Sequence, residues 1–409
     1  MVRLIWLFGL LSIRLIKSHL HHHRQYEEVC GWDWQANYTR LHQAIMSGEQ
    51  QGRYIVAIPV KSGMADMILG YISAFLWALI SDRAFLIERV ELEDNTQRTI
   101  EFAYHPINVN WTSPLLHRDV YECLLPPYPK ECPQSQGAKT YFNGRDGLRY
   151  RRIMGVNANL DFHKVNLIKG YEDVDLLISA INRGGSVRIF DNPFHREFLL
   201  NKLKLTPQTA FPCLFHFLFH MNQEACDETC ISVAKQLRRG SKESLHVSIG
   251  IHVRNPENGA PEHFYCADSI IDRYKQQGYE ILVVLVTTSA ALQLVAQQKY
   301  GDILLLPSGK PKDADILYDR DLGVQRTREE KVELDRKGII DSARDYYILS
   351  LTDIQVLSPK SGFGVVGSMI GLKKKHIMYR MNPGGEQRQC GLKPDGDDLT
   401  VFADEWSGL

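Results

Sequence analysis

From Val247 onward, five short runs are apolar almost throughout: VSIGIHV (247–253), EILVVLVTT (280–288), DILLLP (302–307), DIQVLS (353–358) and HIMYR (376–380). Helical text lies between most of them, over 268–277, 289–300, about 331–351 and 363–372. A strand that does not alternate polar with apolar residues is buried on both faces, and helices placed between such strands cover both faces of a parallel sheet. The second half is therefore expected to be a doubly wound domain, whose ligands sit beyond the carboxyl ends of the strands.

The first half opens on a similar unit. YIVAIPV (54–60) reads as a strand, SGMADMILGYISAFLWALIS (62–81) as a helix and AFLIERV (84–90) as a second strand. Ile68, Ile72, Phe75, Leu76 and Leu79 recur at three and four residues, so a stripe of the helix faces a sheet. Ser62 and Gly63 at its entry admit two readings, a plain N-cap or backbone N–H groups offered to a ligand. Residues 91 to about 165 are irregular, with Pro106, Pro114, Pro126, Pro127, Pro129 and Pro133, and an insertion of this length often shapes a binding surface. Regular pattern returns with VNLIKGY, VDLLISAI and SVRIF, then helical text through Arg239, and the basic cluster Arg238–Lys242 marks the expected boundary. At 409 residues two domains are expected, 30–240 and 241–409, behind an N-terminal segment 1–29.

Lys and Arg number 48 and so do Asp and Glu, which gives no reason to expect general binding to nucleic acid or to anionic membranes; any anion site must be local. The apolar run Leu4–Ile13 behind Arg3, followed by Arg14 and Lys17, fits a secretory signal or a short type II anchor, the alternative being an amphipathic helix on a cytosolic protein. His19–His23 reads as a solvated spacer, with metal binding as the lesser alternative. Eight cysteines, with Cys123 and Cys132 flanking a Pro-rich loop as the best local pair, are compatible with disulfides in an oxidising lumen, as are the sequons at Asn37 and Asn110. His216, His220, Cys226 and Cys230 have metal-ligand spacing on expected helices, but Phe and Leu around them account for a packed helix with core or disulfide roles.

Three strand ends carry chemistry. Arg254 closes SIGIHVR, Thr287 and Thr288 close the next strand, and SPKSGFG (358–364) runs straight into a helix. A guanidinium grips two phosphate oxygens and a helix N-terminus adds N–H donors, so together they form a diphosphate or nucleotide site, whereas a lone Arg at a strand end is more often structural. The loop is neither a Walker A sequence nor a GxGxxG turn, which disfavours NTP hydrolysis and dinucleotide redox chemistry.

At these residues the sequence resembles the plant-type α-1,2-fucosyltransferases, the xyloglucan fucosyltransferase family. YYILSLTDIQVLSPKSGFG is similar to that family's C-terminal YLLSLTD helix and STFG loop. IGIHVR, VLVTTS, FLWALISDRAFLIER and FPCLFHFLFHMN match further stretches, collinear from about Arg53 to Gly391. The resemblance implies an α/β, GT-B-like fold, two Rossmann-type domains facing a central cleft, with GDP-fucose held by the C-terminal one. By the same token Arg254 contacts the donor pyrophosphate, Ser361, Gly362, Phe363 and Gly364 form the donor loop, and Thr287 lies near the nucleotide by position. Inverting transfer of fucose to a glycan hydroxyl, no cofactor or required metal, and a Golgi type II membrane protein are also implied.

The family's SGLGNR loop is replaced by Ser62-Gly63-Met64-Ala65-Asp66-Met67, which puts acceptor choice or activity in question; Ser62, Gly63 and Asp66 are the candidate acceptor-side residues. Glu262, His263 and Asp268 follow Arg254 closely enough to reach a cleft but read as surface or capping residues, so no general base is assigned, and Asp353 is expected to shape a helix-to-strand corner. A GT-B transferase for another nucleotide sugar and an inactive glycan-binding relative are the competing readings. A homodimer is an allowed assembly.

Overall fold

The computed structural model describes residues 26–31, 33–58, 63–88, 100–112, 150–154, 162–243, 245–254, 264–308, 327–381 and 394–404. The N-terminal segment through residue 25, Ser62, the Cys123–Cys132 pair, Glu262 and His263 lie outside them. In chain order come α1 (26–30), α2 (Asp33–Ser47), β1 (Tyr54–Ala57), α3 (Met64–Ile80), β2 (Ala84–Ile87), β3 (Tyr104–Pro106), β4 (Tyr150–Met154), β5 (Leu176–Ala180), α4 (Ala210–Leu218), β6 (Phe219–Met221) and α5 (Glu228–Glu243). The second half adds β7 (His246–Val253), α6 (Tyr265–Gln276), β8 (Glu280–Thr287), α7 (Ala290–Tyr300), β9 (Leu304–Leu305), α8 (Arg328–Leu351), β10 (Ile354–Leu357), α9 (Gly362–Met369), β11 (Ile377–Arg380) and α10 (Leu399–Ala403).

Among the described residues, one sheet has the order β2-β1-β5-β4 and a second the order β11-β10-β7-β8-β9, both parallel throughout, and β3 pairs with β6 as an antiparallel ribbon. Burial explains the apolar runs. β1, β2, β5 and β10 are buried at every position and β7 at all but its first, as a parallel sheet with helices on both faces requires.

Several expected elements differ. VNLIKGY and SVRIF are not strands: 165–171 is a series of turns, and Arg188–Asp191 is a single 3-10 turn between Gly184-Gly185 and Asn192-Pro193, too short to reach a neighbour, with Ile189 and Phe190 plugging the core. DILLLP contributes only Leu304–Leu305 at the sheet edge. His220 is not helical, because α4 ends at Leu218 and the chain turns to pair His220 with His105. The basic cluster does not interrupt α5, which runs on to Glu243.

The helix α3 is the centre of the first half. The periodic stripe requires only one buried face, yet every residue from Met64 to Ile80 is buried except Asp66. Its sheet covers one side, and Phe75 stacks on Phe217 of α4 at 5.4 Å and packs edge-on against Tyr38 of α2 at 5.1 Å. Its remaining side meets α9 of the second half, so one apolar cluster runs from Met67 and Ile68 through Tyr346, Val366 and Met369. The opposite face of the second sheet has its own core, with Ile249, Ile251, Val283 and Leu285 under α6 and α7. Polar bonds cross the seam too: His216 Nε2 lies 2.8 Å from the Ile370 carbonyl, the His376 N–H donates to Gln208 Oε1 at 3.0 Å, and Arg188 Nε donates to Asp404 at 2.8 Å.

Two side chains fix the frame further. Arg83, wholly buried, donates to the carbonyls of Val174 at 2.7 Å and Tyr171 at 2.6 Å, tying the entry of β2 to the turn before β5. A disulfide joins Cys30 to Cys213, pinning α1 to α4.

Gly70 is where α3 presses on its sheet. A Cβ there would lie 1.9 Å from the Ile181 carbonyl oxygen, a backbone atom that cannot step aside. Gly70→Ala should destabilise the fold by about 3 kcal/mol or more. Gly338→Ala, on the exposed face of α8 with nothing within 4 Å, should instead stabilise by up to about 1 kcal/mol. Urea midpoints of the two variants, read against the parent chain, check the contrast.

Candidate functional site

The C-terminal edge of the second sheet is stitched at one point. Ser358, just past β10, donates its backbone N–H to the His252 carbonyl at 3.1 Å, and its Oγ accepts the Arg254 backbone N–H at 2.9 Å. The backbone of Arg254 is thus held by the neighbouring strand while its side chain stands exposed, with Nη1 donating to the Lys360 carbonyl at 3.3 Å. Lys360 has φ +55°, a left-handed conformation that side chains other than glycine rarely adopt and that recurs where a loop is held for function.

The next residue starts α9. Ser361 is fully buried, makes no capping bond, and its Oγ has no hydrogen-bond partner. The first N–H groups of α9 have no acceptor within the helix, so an orphaned hydroxyl and orphaned donors lie next to the guanidinium. Gly364 lets the helix settle on the strand: a Cβ there would lie 2.7 Å from His252 Nδ1. The Phe363 ring packs against His252 at 5.3 Å and Tyr346 at 4.4 Å. His252 and Tyr346 are themselves buried with Nδ1 and the phenol oxygen unpartnered. Burial, and secondarily the Arg254 charge, pushes the His252 imidazole down to about 3, so the ring is neutral.

Thr287 sits beside this cluster, paired in register with Val253. Its Oγ1 accepts the Ser289 N–H at 3.2 Å and its carbonyl accepts from Gln293, so it shapes the turn into α7.

The first half contributes the N-terminus of α3, the helix that packs on α9. Gly63 is its N-cap, extended at φ −69° and ψ 162°, without a side-chain cap. Burial raises the carboxyl pKa of Asp66, and the charges of Arg183 and then Arg254 act against that rise. Arg183 is buried beyond the end of β5, with Nη1 donating to the Asn182 carbonyl at 3.0 Å and its own carbonyl accepting from Ser73 Oγ of α3 at 3.0 Å. Burial lowers its pKa and Asp66 raises it. Asp66 also helps burial and Tyr104 raise the Tyr346 phenol. Residues beyond the carboxyl ends of both sheets therefore share one electrostatic neighbourhood.

Some expected residues are used elsewhere. Asp268 pairs with Lys299 at 2.9 Å and Tyr300 Oη at 3.0 Å, a helix-to-helix tie. Asp353 accepts from both the N–H and the hydroxyl of Ser248, at 2.8 and 2.7 Å, and shapes the corner into β10. Cys226 and Cys230 are joined to each other and so are not ligands. Among the described residues no group of three or more His, Cys, Asp or Glu is placed to hold a metal, and no helix is long and apolar enough to cross a membrane.

Sequence reasoning missed Arg183, although LLISAINRGG carries the signal that singled out Arg254, an apolar strand ending in a basic residue before a break. Tyr346 and His252 left no such mark, because a Tyr in a helix and a His in a strand read as packing.

Two parallel sheets with facing carboxyl ends, an arginine on one and a glycine-bearing helix start beside it, make this a GT-B-like α/β protein. Comparison with known proteins leads to the same class. The chain is 23% identical over 349 residues to probable fucosyltransferase 5 of Arabidopsis thaliana and 24% identical over 359 residues to probable fucosyltransferase 8 of the same plant. Each match takes in 80% of this chain, which spans 62% and 65% of those two proteins. A GDP complex of a mutant of Arabidopsis thaliana FUT1 superposes with a TM-score of 0.51 at 16% identity, covering 90% of this chain and 80% of that one. No protein-family model matches. The chain is thus similar at low identity to plant fucosyltransferases, and its fold is GT-B-like.

His252 and His376 are both buried and both pushed down to about 3, His376 by burial and then by Lys373. Each folded value lies below that of an unfolded histidine, so the unfolded chain takes up protons that the native state refuses. Their stabilising contribution is complete above about pH 6.5 and falls as pH drops toward 3, by about 1.4 kcal/mol per pH unit for each ring. In urea unfolding at pH 7, 6, 5 and 4, His252→Gln should flatten the acid slope by that single-ring amount, and an unchanged slope would speak against the buried neutral ring.

Proposed function

We propose that the protein transfers fucose from GDP-fucose to a glycan hydroxyl with inversion at the sugar carbon. The observation that carries this reading is the placement of the Arg254 guanidinium beside the start of α9, where Ser361 Oγ is buried without a partner. In the donor complex Arg254 grips the diphosphate, and Ser361 with the N–H groups of Gly362, Phe363 and Gly364 completes the cradle. Thr287 holds the adjoining turn. As the bond from fucosyl C1 to the phosphate oxygen breaks, its electron pair moves onto the GDP leaving group, and these donors stabilise the charge that develops there. One well-placed donor of this kind lowers the barrier by about 3 to 4 kcal/mol.

The second half, 241–409, is the donor side in this reading, and the first half, 30–240, the acceptor side, with Gly63 and Asp66 at the entry to α3 as acceptor-side residues. The reaction needs no resident cofactor or metal on this account, since the side chains and helix N-terminus supply the positive field. Disulfides at Cys30–Cys213 and Cys226–Cys230 suit an oxidising compartment and support residence in the secretory pathway, with the Golgi as the expected station.

The experiment incubates purified protein with GDP-fucose and with UDP-sugars, together with a panel of glycan acceptors. GDP release and labelled product from GDP-fucose alone support the reading; UDP release, or sugar binding without turnover, overturns it. Arg254→Ala should reduce GDP release by about 10²- to 10³-fold without lowering the melting temperature, since the side chain is exposed. Arg254→Lys should recover only part, because an ammonium cannot grip two oxygens in parallel. Ser361→Ala should weaken GDP binding while leaving the unliganded protein as stable as before or slightly more so, because the hydroxyl it removes is buried and unbonded.

A further inference from the structure

Four of the large apolar side chains that stand exposed lie together on the first half: Phe194 at 57%, Ile168 at 39%, Val165 at 37% and Phe198 at 36%. An apolar side chain exposed singly is ordinary and calls for no account. These four are not scattered, because buried polar bonds tie their two segments side by side. Asn192 Nδ2 donates to the Val165 carbonyl at 2.9 Å while its Oδ1 accepts the Phe194 N–H at 3.0 Å, so one amide holds both residues. His195 Nε2 accepts the Leu167 N–H at 2.8 Å, which sets Ile168 beside the same turn. Phe198 stands one helical turn on from Phe194, with the Leu199 N–H donating to the His195 carbonyl at 3.0 Å.

The rim of this patch carries charge of one sign. Across 162–170 and 193–204 the sequence has Lys164, Lys169, Arg196, Lys202 and Lys204 against one acid, Glu197, whose carboxylate accepts from Asn201. All five cations are exposed, and among the described residues none makes an ion pair. Acids resume only past the ends of the two segments, where Asp191 is paired with Arg188. In a chain whose charges balance overall, a local excess of this kind around apolar side chains complements a negatively charged partner. A second copy of the chain is the wrong partner, since a two-fold contact would press like charges together. Where the chain enters the fold favours a lipid. The run Leu4–Ile13, expected to meet a membrane, joins the described residues at Tyr26, whose hydroxyl donates to the Cys213 carbonyl at 3.2 Å. Cys30 is bonded to Cys213 itself, and α4, which carries that cysteine, is the helix the patch segment leads into. We propose that this patch docks on an anionic lipid surface. Phe194, Phe198, Ile168 and Val165 enter the boundary between headgroups and acyl chains, and the five cations meet the lipid phosphates and carboxylates. Their apolar stems lie along the patch while the charged heads stay among the headgroups.

The test uses the full chain with a local readout. Phe194→Cys is labelled with an environment-sensitive dye, and Leu294→Cys, at an exposed position of α7 in the second half, is labelled as the control. Among the described residues no cysteine is free to compete for the label. Vesicles of phosphatidylcholine, with and without about one third phosphatidylserine, are added at low and at physiological salt. The Phe194 dye should move to shorter wavelength with the anionic vesicles, less so at the higher salt, and be quenched by brominated acyl chains. The Leu294 dye should do neither, a difference that attachment through the N-terminal run alone would not produce. In the labelled Phe194→Cys chain, Lys164→Gln, Lys169→Gln, Arg196→Gln and Lys202→Gln should each raise the lipid concentration at half-response about fivefold. The melting temperature should not change, because these side chains are exposed. Equal responses of the two dyes, or none at position 194, overturn the proposal. So do Gln variants that respond at the parental lipid concentration, and so does a shift of the Phe194 dye that grows with protein concentration in the absence of vesicles, which would mark self-association.

Discussion

The contact on which the rest of the architecture depends is that of α3 with its surroundings on every side. Packed on its own sheet at Gly70 and against α9 of the second sheet, it leaves no slack in how the two halves meet. Interiors packed at crystal-like density transmit position rather than absorb it. The N-terminus of α3 and that of α9 are therefore set relative to each other by a shared apolar core, and the chemistry-bearing residues are those at the two helix starts.

The site itself is built out of deficits. A left-handed Lys360, an unbonded Ser361 hydroxyl and an unpartnered His252 nitrogen are each unfavourable in themselves. Scattered through a core they would be defects. Gathered beyond the carboxyl ends of two parallel sheets, they are polar capacity held ready for a charged ligand, and the neighbouring Ser358 bonds show what keeps them from relaxing. Electrostatic stabilisation that is arranged beforehand requires no reorganisation when charge develops.

Much of this was legible in the residues. The unalternating strands gave the parallel sheets, and the break after Val253 pointed to Arg254, because burial pattern and turn chemistry are local properties of the chain. What escaped was what depends on the meeting of distant segments. Asp66 and Arg183 lie more than a hundred positions apart, and nothing in either neighbourhood announces the other. SVRIF, as apolar as a strand, forms a 3-10 turn because flanking Gly and Pro leave it no partner in reach. His220 left its helix for the same kind of reason, the pull of a pairing partner at His105 that no window of sequence contains.

The histidine bond from α4 to the Ile370 carbonyl and the unbroken core beside it have one more implication. Halves fused by such a seam do not swing apart as hinged lobes do, so they keep one spacing. For the transfer proposed above, acceptor choice would then be a matter of gauge, set by girth as a rigid lock sets its key, and a broader choice would have to evolve by resizing the walls.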